Sequence, residues 1–265
     1  MKHWLFICCA IFFLSGCSSL KKFLFGENVL GEQYRRLTFD TPAEFEDHLL
    51  KLGKDFKSAE ERSFLSLDKT SALYLESVYF QIHKNNELIL GEQMPPEFNI
   101  IDDDIAFFFS LPKNKYFFST GLFRRHIRNE GLLVSILTYE MIKSSNKVYR
   151  KNMIVPIGTI RKEQMTALNN IPLEAAFEID KLAFIALRRS GFDPFAFLSW
   201  IQIRNKSILD FRLMTNDINR ATKEEYLLKG FIIETGTQFK YFDIREANSS
   251  KEFYKFHAQI IKQKG

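Results

Sequence analysis

The sequence predicts a single α+β domain, mostly helical, and three observations carry that reading. Segments with apolar residues at helical spacing recur along the chain, several of them opened or closed by capping residues. Two stretches, residues 104–111 and 115–120, are dense in Phe, Ile and Tyr and flank Lys113-Asn114, which reads as a β-hairpin. No internal repeat or low-complexity linker divides the chain. Its 265 residues suit one large domain. With 46% hydrophobic and 26% charged residues, the composition excludes a disordered or collagen-like chain. A net charge of +5, from 37 basic and 32 acidic residues, is too mild and scattered for a nucleic-acid footprint. The 28 Phe are spread along the chain and are expected to fill core positions.

The N-terminus stands apart from the fold. Lys2 and His3 precede an apolar run from Trp4 to Leu14, followed by Ser15-Gly16-Cys17. A basic start, a short apolar run and a small-residue cleavage site make a secretory signal, read over residues 1–16. The run is shorter than the roughly 20 apolar residues that span a bilayer. Leu14–Cys17 also resembles the bacterial lipobox, which implies that Cys17 is lipidated and becomes the mature N-terminus. Cys8 and Cys9 would be lost with the signal, leaving no intramolecular disulfide. Two or three acyl chains anchor a protein stably. Ser18 in place of Asp resembles the Gram-negative sorting pattern for the outer membrane, so the expected location is its periplasmic face. Residues 17–40 read as a lipidated tether, with Lys21, Lys22, Arg35 and Arg36 near the membrane, and residues 41–265 as the domain.

Thr41-Pro42-Ala43-Glu44 reads as an N-cap, Pro at the first helical position and an acidic first turn, opening a helix to about Leu52. Leu73, Leu75, Val78 and Tyr79 place a second helix over residues 71–83. After the hairpin, Asn129 caps a long helix to about Ser145, with Leu132, Leu133, Ile136, Leu137 and Met141 on one face. Residues 173–189 form another helix, with Arg188 and Arg189 in its last turn and Gly191 beyond. Asp193-Pro194 opens a helix through Ile203. Thr222 and Glu225 fit a capping box for a helix to about Leu228. Residues 231–244 alternate like strands, and residues 250–262 close the chain as a helix.

The order of these motifs resembles one bacterial family. Ile105-Ala106-Phe107, Leu111-Pro112 and Tyr116–Leu122 are similar to the strand and turn preceding the active helix of zinc metallopeptidases related to the CaaX prenyl proteases, which include periplasmic chaperone-proteases of the outer membrane. The likeness runs through Asn129-Glu130 and the helix to Ser145, and resumes over residues 177–194 with Ser190-Gly191-Phe192-Asp193-Pro194. It covers roughly residues 70 to 200. The resemblance implies a mainly helical zincin-like (minigluzincin) domain with a small β-hairpin beside the former active-site helix.

In that family the helix carries H-E-x-x-H, whose His residues bind zinc while the Glu activates water. A third ligand, Glu, opens E-x-x-A-D on the next long helix, whose Asp supports a ligand. Here the segments read Tyr139-Glu140-Met141-Ile142-Lys143 and Ala176-Phe177-Glu178-Ile179-Asp180. The resemblance therefore puts Tyr139, Lys143 and Ala176 at the ligand positions, Glu140 at the general base and Asp180 at the supporting Asp. Catalytic zinc needs three protein ligands and a water. Tyr is a rare ligand, Ala has no donor, and a Lys ammonium offers no lone pair. Glu140 then has no acidified water to use. The expectation is no zinc and no peptidase catalysis. Lys143 is expected to take the electrostatic place of the metal between Glu140 and Asp180, with the Tyr139 hydroxyl donating to either carboxylate.

Nothing else rebuilds a site. His48, His83, His126 and His257 are scattered, and His126 reads as a surface or turn residue. Thr215-Asn216-Asp217 and Arg220 stand near where the family has His-Pro followed by Arg, and supply no His. Glu178 as a displaced ligand would lie about 200° around the helix from Ala176. Ser119 reads as a turn residue, and there is no G-x-S-x-G elbow or Gly-rich phosphate loop. The functional expectation is a non-catalytic, peptidase-like envelope lipoprotein that holds a protein or peptide partner in the former substrate groove, with the aromatic strand Ile105–Phe109 as its binding edge. Its alternatives are an active zinc metalloendopeptidase with an atypical site and a purely structural lipoprotein.

Overall fold

The computed structural model describes residues 34–59, 62–145, 150–214, 217, 219–235 and 249–262. Ten helices and six strands occur among them. A four-stranded sheet has the order β2(Phe64–Leu65), β3(Glu97–Ile101), β5(Lys115–Ser119), β4(Phe108–Leu111), with β3 and β5 parallel and the other pairs antiparallel. A separate antiparallel ribbon pairs β1(Tyr34–Thr38) with β6(Asn152–Pro156), Arg36 opposite Ile154. The fold is thus mixed α and β, with helices dominant.

The expected hairpin is β4–β5, with Phe108 opposite Phe118 and Leu111 opposite Lys115. Lys113 and Asn114 in its turn have φ of 59° and 55°. Asn tolerates that left-handed region through local hydrogen bonds, and Asn114 donates to the Tyr79 hydroxyl at 2.8 Å and the Met94 carbonyl at 3.3 Å. Ile105–Phe107 precede the strand rather than form it.

Alternation along the strands feeds two cores rather than one. Phe108, Tyr116 and Phe118 face the main core with α2(Lys69–Lys84), α5(Glu130–Ser145), α7(Leu173–Arg189), α8(Phe195–Lys206) and α10(Lys251–Lys262). Phe107, Phe109, Leu111 and Phe117 face a second core with α1(Pro42–Ser58), the ribbon and α6(Lys162–Leu168). Every residue of β4 is buried, so its aromatic side chains belong to the two cores.

Capping chemistry places most helices where the sequence does. The Thr41 hydroxyl accepts from the Glu44 amide at 3.2 Å, and α1 runs on to Ser58. Asp68 opens α2 by accepting from the Ser71 amide at 2.7 Å. The Asn129 side chain accepts from the Leu132 amide at 3.0 Å and starts α5. Glu130 then accepts from the Tyr74 hydroxyl at 2.8 Å and the Ser250 hydroxyl at 2.9 Å, tying α5 to α2 and α10. Residues 132–138 of α5 are buried all round rather than on one face. Gly191, with φ 79°, takes the chain past the end of α7.

Four expectations are corrected. Residues 34–38 form β1 and pair with β6, so they belong to the fold and not to a tether reaching residue 40. The helix expected at Thr222 opens at Arg220 as α9(Arg220–Thr235); Glu225 accepts from Asn205 at 2.8 Å and Thr222 donates to Asn205 at 2.9 Å, so there is no capping box. Residues 231–235 continue that helix instead of starting a strand, and residues 236–244 lie outside the described residues. His126 is the expected turn residue, closing the helix Thr120–Arg125, but it is buried rather than on the surface, 6% exposed and with its ring tilted against Phe211 at 4.6 Å. Two short helices, α3(Glu87–Leu90) and α4(Thr120–Arg125), complete the chain.

Candidate functional site

Beside the edge of β4 the chain forms a half-buried, charged cleft. Its floor is α5, with Tyr139, Glu140 and Lys143; Arg204 comes from α8, and Arg220 and Glu224 from α9. Lys143 and Glu140 are three apart on one helix, so their side chains meet. The ammonium lies 2.7 Å and 2.6 Å from the two carboxylate oxygens, with Glu140 1% exposed. It also sits 5.7 Å from the Tyr139 ring centroid. Tyr139 stacks on Phe197 at 6.0 Å and its hydroxyl makes no hydrogen bond to the described residues.

A second ion cluster stands behind the first. Glu224, 2% exposed, pairs with Arg220 at 2.7 Å and Arg204 at 3.1 Å. Arg220 also donates to the Ile171 carbonyl at 2.7 Å, pinning the loop before α7. Asp180 on α7 is 1% exposed, and neither carboxylate oxygen has a hydrogen-bond partner among the described residues. Burial, and then the Glu224 charge, push its pKa well above the ordinary 3.8, against Arg204 and Arg220. Since Glu224 pairs with both guanidinium groups, Asp180 is left without a partner and burial favours its neutral form. Tyr139 is likewise raised, by burial first and then by Asp180, Glu224 and Glu140, and stays neutral. Burial alone would lower Arg204, but the Glu224 carboxylate paired with it more than offsets that.

Only part of the expected site lines this cleft, and Ala176 and Asp180 do not. Tyr139, Glu140 and Lys143 line one cleft, and α7, carrying Ala176 and Asp180, packs against α5. Lys143 does not bridge the two carboxylates. It pairs with Glu140 alone, while Asp180 faces the α8–α9 cluster. The cause is geometric, because an i,i+3 pair satisfies the ammonium locally.

Arg204 and Glu224 escaped the sequence reading. Glu224 had a signal: its helical spacing from Ala221 and Leu228, both buried, puts it on the inward face. Ser119 is a cap, accepting from the Leu122 amide at 3.2 Å and the Phe107 amide at 3.0 Å. His48 and His83 line neither this cleft nor the groove beside it. Cys17 lies outside the described residues.

If the resemblance to zinc peptidases holds, the Lys143 ammonium, already bonded to Glu140, and the buried Ala176 methyl would stand at two of the ligand positions, and neither offers a lone pair to a metal. Among the described residues no group of three or more His, Cys, Asp or Glu could hold a metal ion. Among them, too, no helix is long and apolar enough to cross a membrane.

Fold and site together define a mixed α/β domain with a charged cleft at the edge of its sheet. No family model matches the sequence, and no curated protein matches it significantly.

Proposed function

We propose that this chain is a zincin-like, catalytically degenerate peptidase relative, anchored through Cys17 to the periplasmic face of the outer membrane, that holds an extended protein segment without cutting it. The observation that carries the reading is the Lys143–Glu140 ion pair on the cleft floor, which ties up the would-be general base with a cation of the protein's own. Zinc hydrolysis needs an open coordination position and an acidified water, and neither is supplied here. What such a cleft retains is shape. β4 is the outer strand of its sheet, and Ser110 and Leu111 border a second groove that joins the cleft at Lys143, Asn169 and Ile171. An extended segment can add to such an edge by backbone pairing.

The test uses the full chain in detergent. Fluorescent peptides from unfolded casein are expected to bind without cleavage, binding is expected to fail when Asn169→Trp fills the junction, and Glu140→Gln, although it breaks the pair with Lys143 and lowers stability, is expected to leave uncut binding in place. About one zinc per chain, with casein cleavage lost in Glu140→Gln, overturns the reading in favour of an atypical metallopeptidase. Fatty-acid labelling that persists in Cys17→Ser overturns the anchor.

A further inference from the structure

The groove beside the cleft is a different chemical environment. It is an open groove on the surface. Its walls are mainly apolar: Phe45 and Leu49 from α1, Leu111 from β4, Leu168 at the end of α6 and Ile171. Lys143 reaches it too, but that ammonium is held by both oxygens of Glu140. Arg150 is the exception. It lines the groove half-buried, and has no ion pair or hydrogen bond among the described residues. Its pKa is lowered, with burial as the cause.

A half-buried guanidinium without a counter-ion is costly, because burial penalises the charged form unless a partner repays it. Guanidinium groups are repaid best by carboxylates, through two parallel hydrogen bonds. We propose that this groove captures the C-terminal carboxylate of a peptide, with Arg150 on the carboxylate and the apolar wall around the last side chain. The inference rests on the peptide-holding reading above and names the chemistry of the segment held.

Two further features favour a peptide end over a fatty acid. The groove is bordered at Ser110 by β4, the outer strand of its sheet. It also opens, past Asn169 and Lys143, into the polar cleft, which suits amide groups and not an alkyl chain. Glu46 is the acidic residue of the lining and sits on α1, half-buried. It opposes a carboxylate and sets the affinity without supplying a partner.

The experiment measures anisotropy of fluorescein-labelled Gly-Ser-Gly-Ala-Val-Leu, as the free acid and as the C-terminal amide, on the full chain in detergent. The free acid is expected to bind at least 10-fold tighter than the amide. Arg150→Gln should bring it to the amide's affinity, Arg150→Lys should keep part of the preference, and Glu46→Gln should strengthen it. Melting curves of each variant guard against misfolding, and Arg150→Lys keeps the test decisive if Arg150→Gln fails to fold. Equal binding of acid and amide, both displaced by Asn169→Trp, overturns the carboxylate capture and leaves the peptide groove standing. Binding of neither peptide overturns both. Dodecanoate bound in place of the peptide, and lost in Arg150→Gln, assigns the groove to an acyl chain and overturns the inference.

Discussion

The Lys143 ammonium lies 2.7 Å and 2.6 Å from the two oxygens of the Glu140 carboxylate, on the floor of the cleft. With Glu140 1% exposed and the lysine side chain 10% exposed, this is a buried pair. Such pairs add little over a well-packed apolar replacement, yet breaking one strands the other charge. Lys143→Met is therefore expected to cost about 3 kcal/mol in urea unfolding. Adding Glu140→Gln should recover most of that loss. A double variant no better than the single one refutes the pairing.

Asp180 makes stability depend on pH, with a sign opposite to that of a salt-bridged carboxylate. Burial and Glu224 raise its pKa well above 3.8 in the fold, whereas the unfolded chain titrates near that value. Above that pH the folded state holds a proton that the unfolded state has released, so stability falls as pH rises. Asp180→Asn keeps the shape and removes the titration. It should raise the melting temperature at pH 7 by more than it does at pH 4, and an equal shift at both would contradict a retained proton.

Gly121 sits in the first turn of α4, its amide 2.7 Å from the Asp103 carbonyl. A Cβ there would fall 2.2 Å from the Asp104 carbonyl oxygen, and backbone cannot yield as a side-chain tip can. Asp104 is further held by Arg124 at 2.6 Å. Gly121→Ala is expected to destabilise by about 2–3 kcal/mol, the range for overpacking. At Gly53 the same change meets the tip of Leu111, which can rotate, so Gly53→Ala should cost less. Urea midpoints for the two variants in the opposite order would be the contrary result.

These sites differ in how far the sequence reveals them. The Lys143–Glu140 pair is local, three residues on one helix whose cap, Asn129, is plain in the sequence. The hairpin is local too. What surrounds Asp180 is not, because Arg204 and Glu224 arrive from α8 and α9. A helix start read at Thr222 with Glu225 as its partner drew attention one residue past Glu224, the carboxylate that is buried. Phe231, Ile232 and Ile233 suggest a strand by residue type, but they continue a helix already under way. β3 follows Pro95-Pro96 and pairs in parallel with β5, a contact that no local pattern announces.

The likeness to zinc peptidases can be tested by rebuilding the site. If Tyr139, Lys143 and Ala176 stand at the ligand positions, Tyr139→His with Lys143→His supplies two imidazoles one turn apart on α5 but leaves the third ligand missing from α7. That double variant should hold no stoichiometric zinc. Adding Ala176→Glu buries a carboxylate at a position now fully enclosed, so the triple variant should melt below the wild type without metal. Zinc should then restore it, since a metal that binds only the folded chain adds about 2.7 kcal/mol at a hundred times its Kd. The readout is melting temperature against zinc concentration, with metal content by mass spectrometry. A triple variant whose melting ignores zinc shows that Ala176 does not face the α5 pair as a ligand must, and the zincin-like reading then fails at α7.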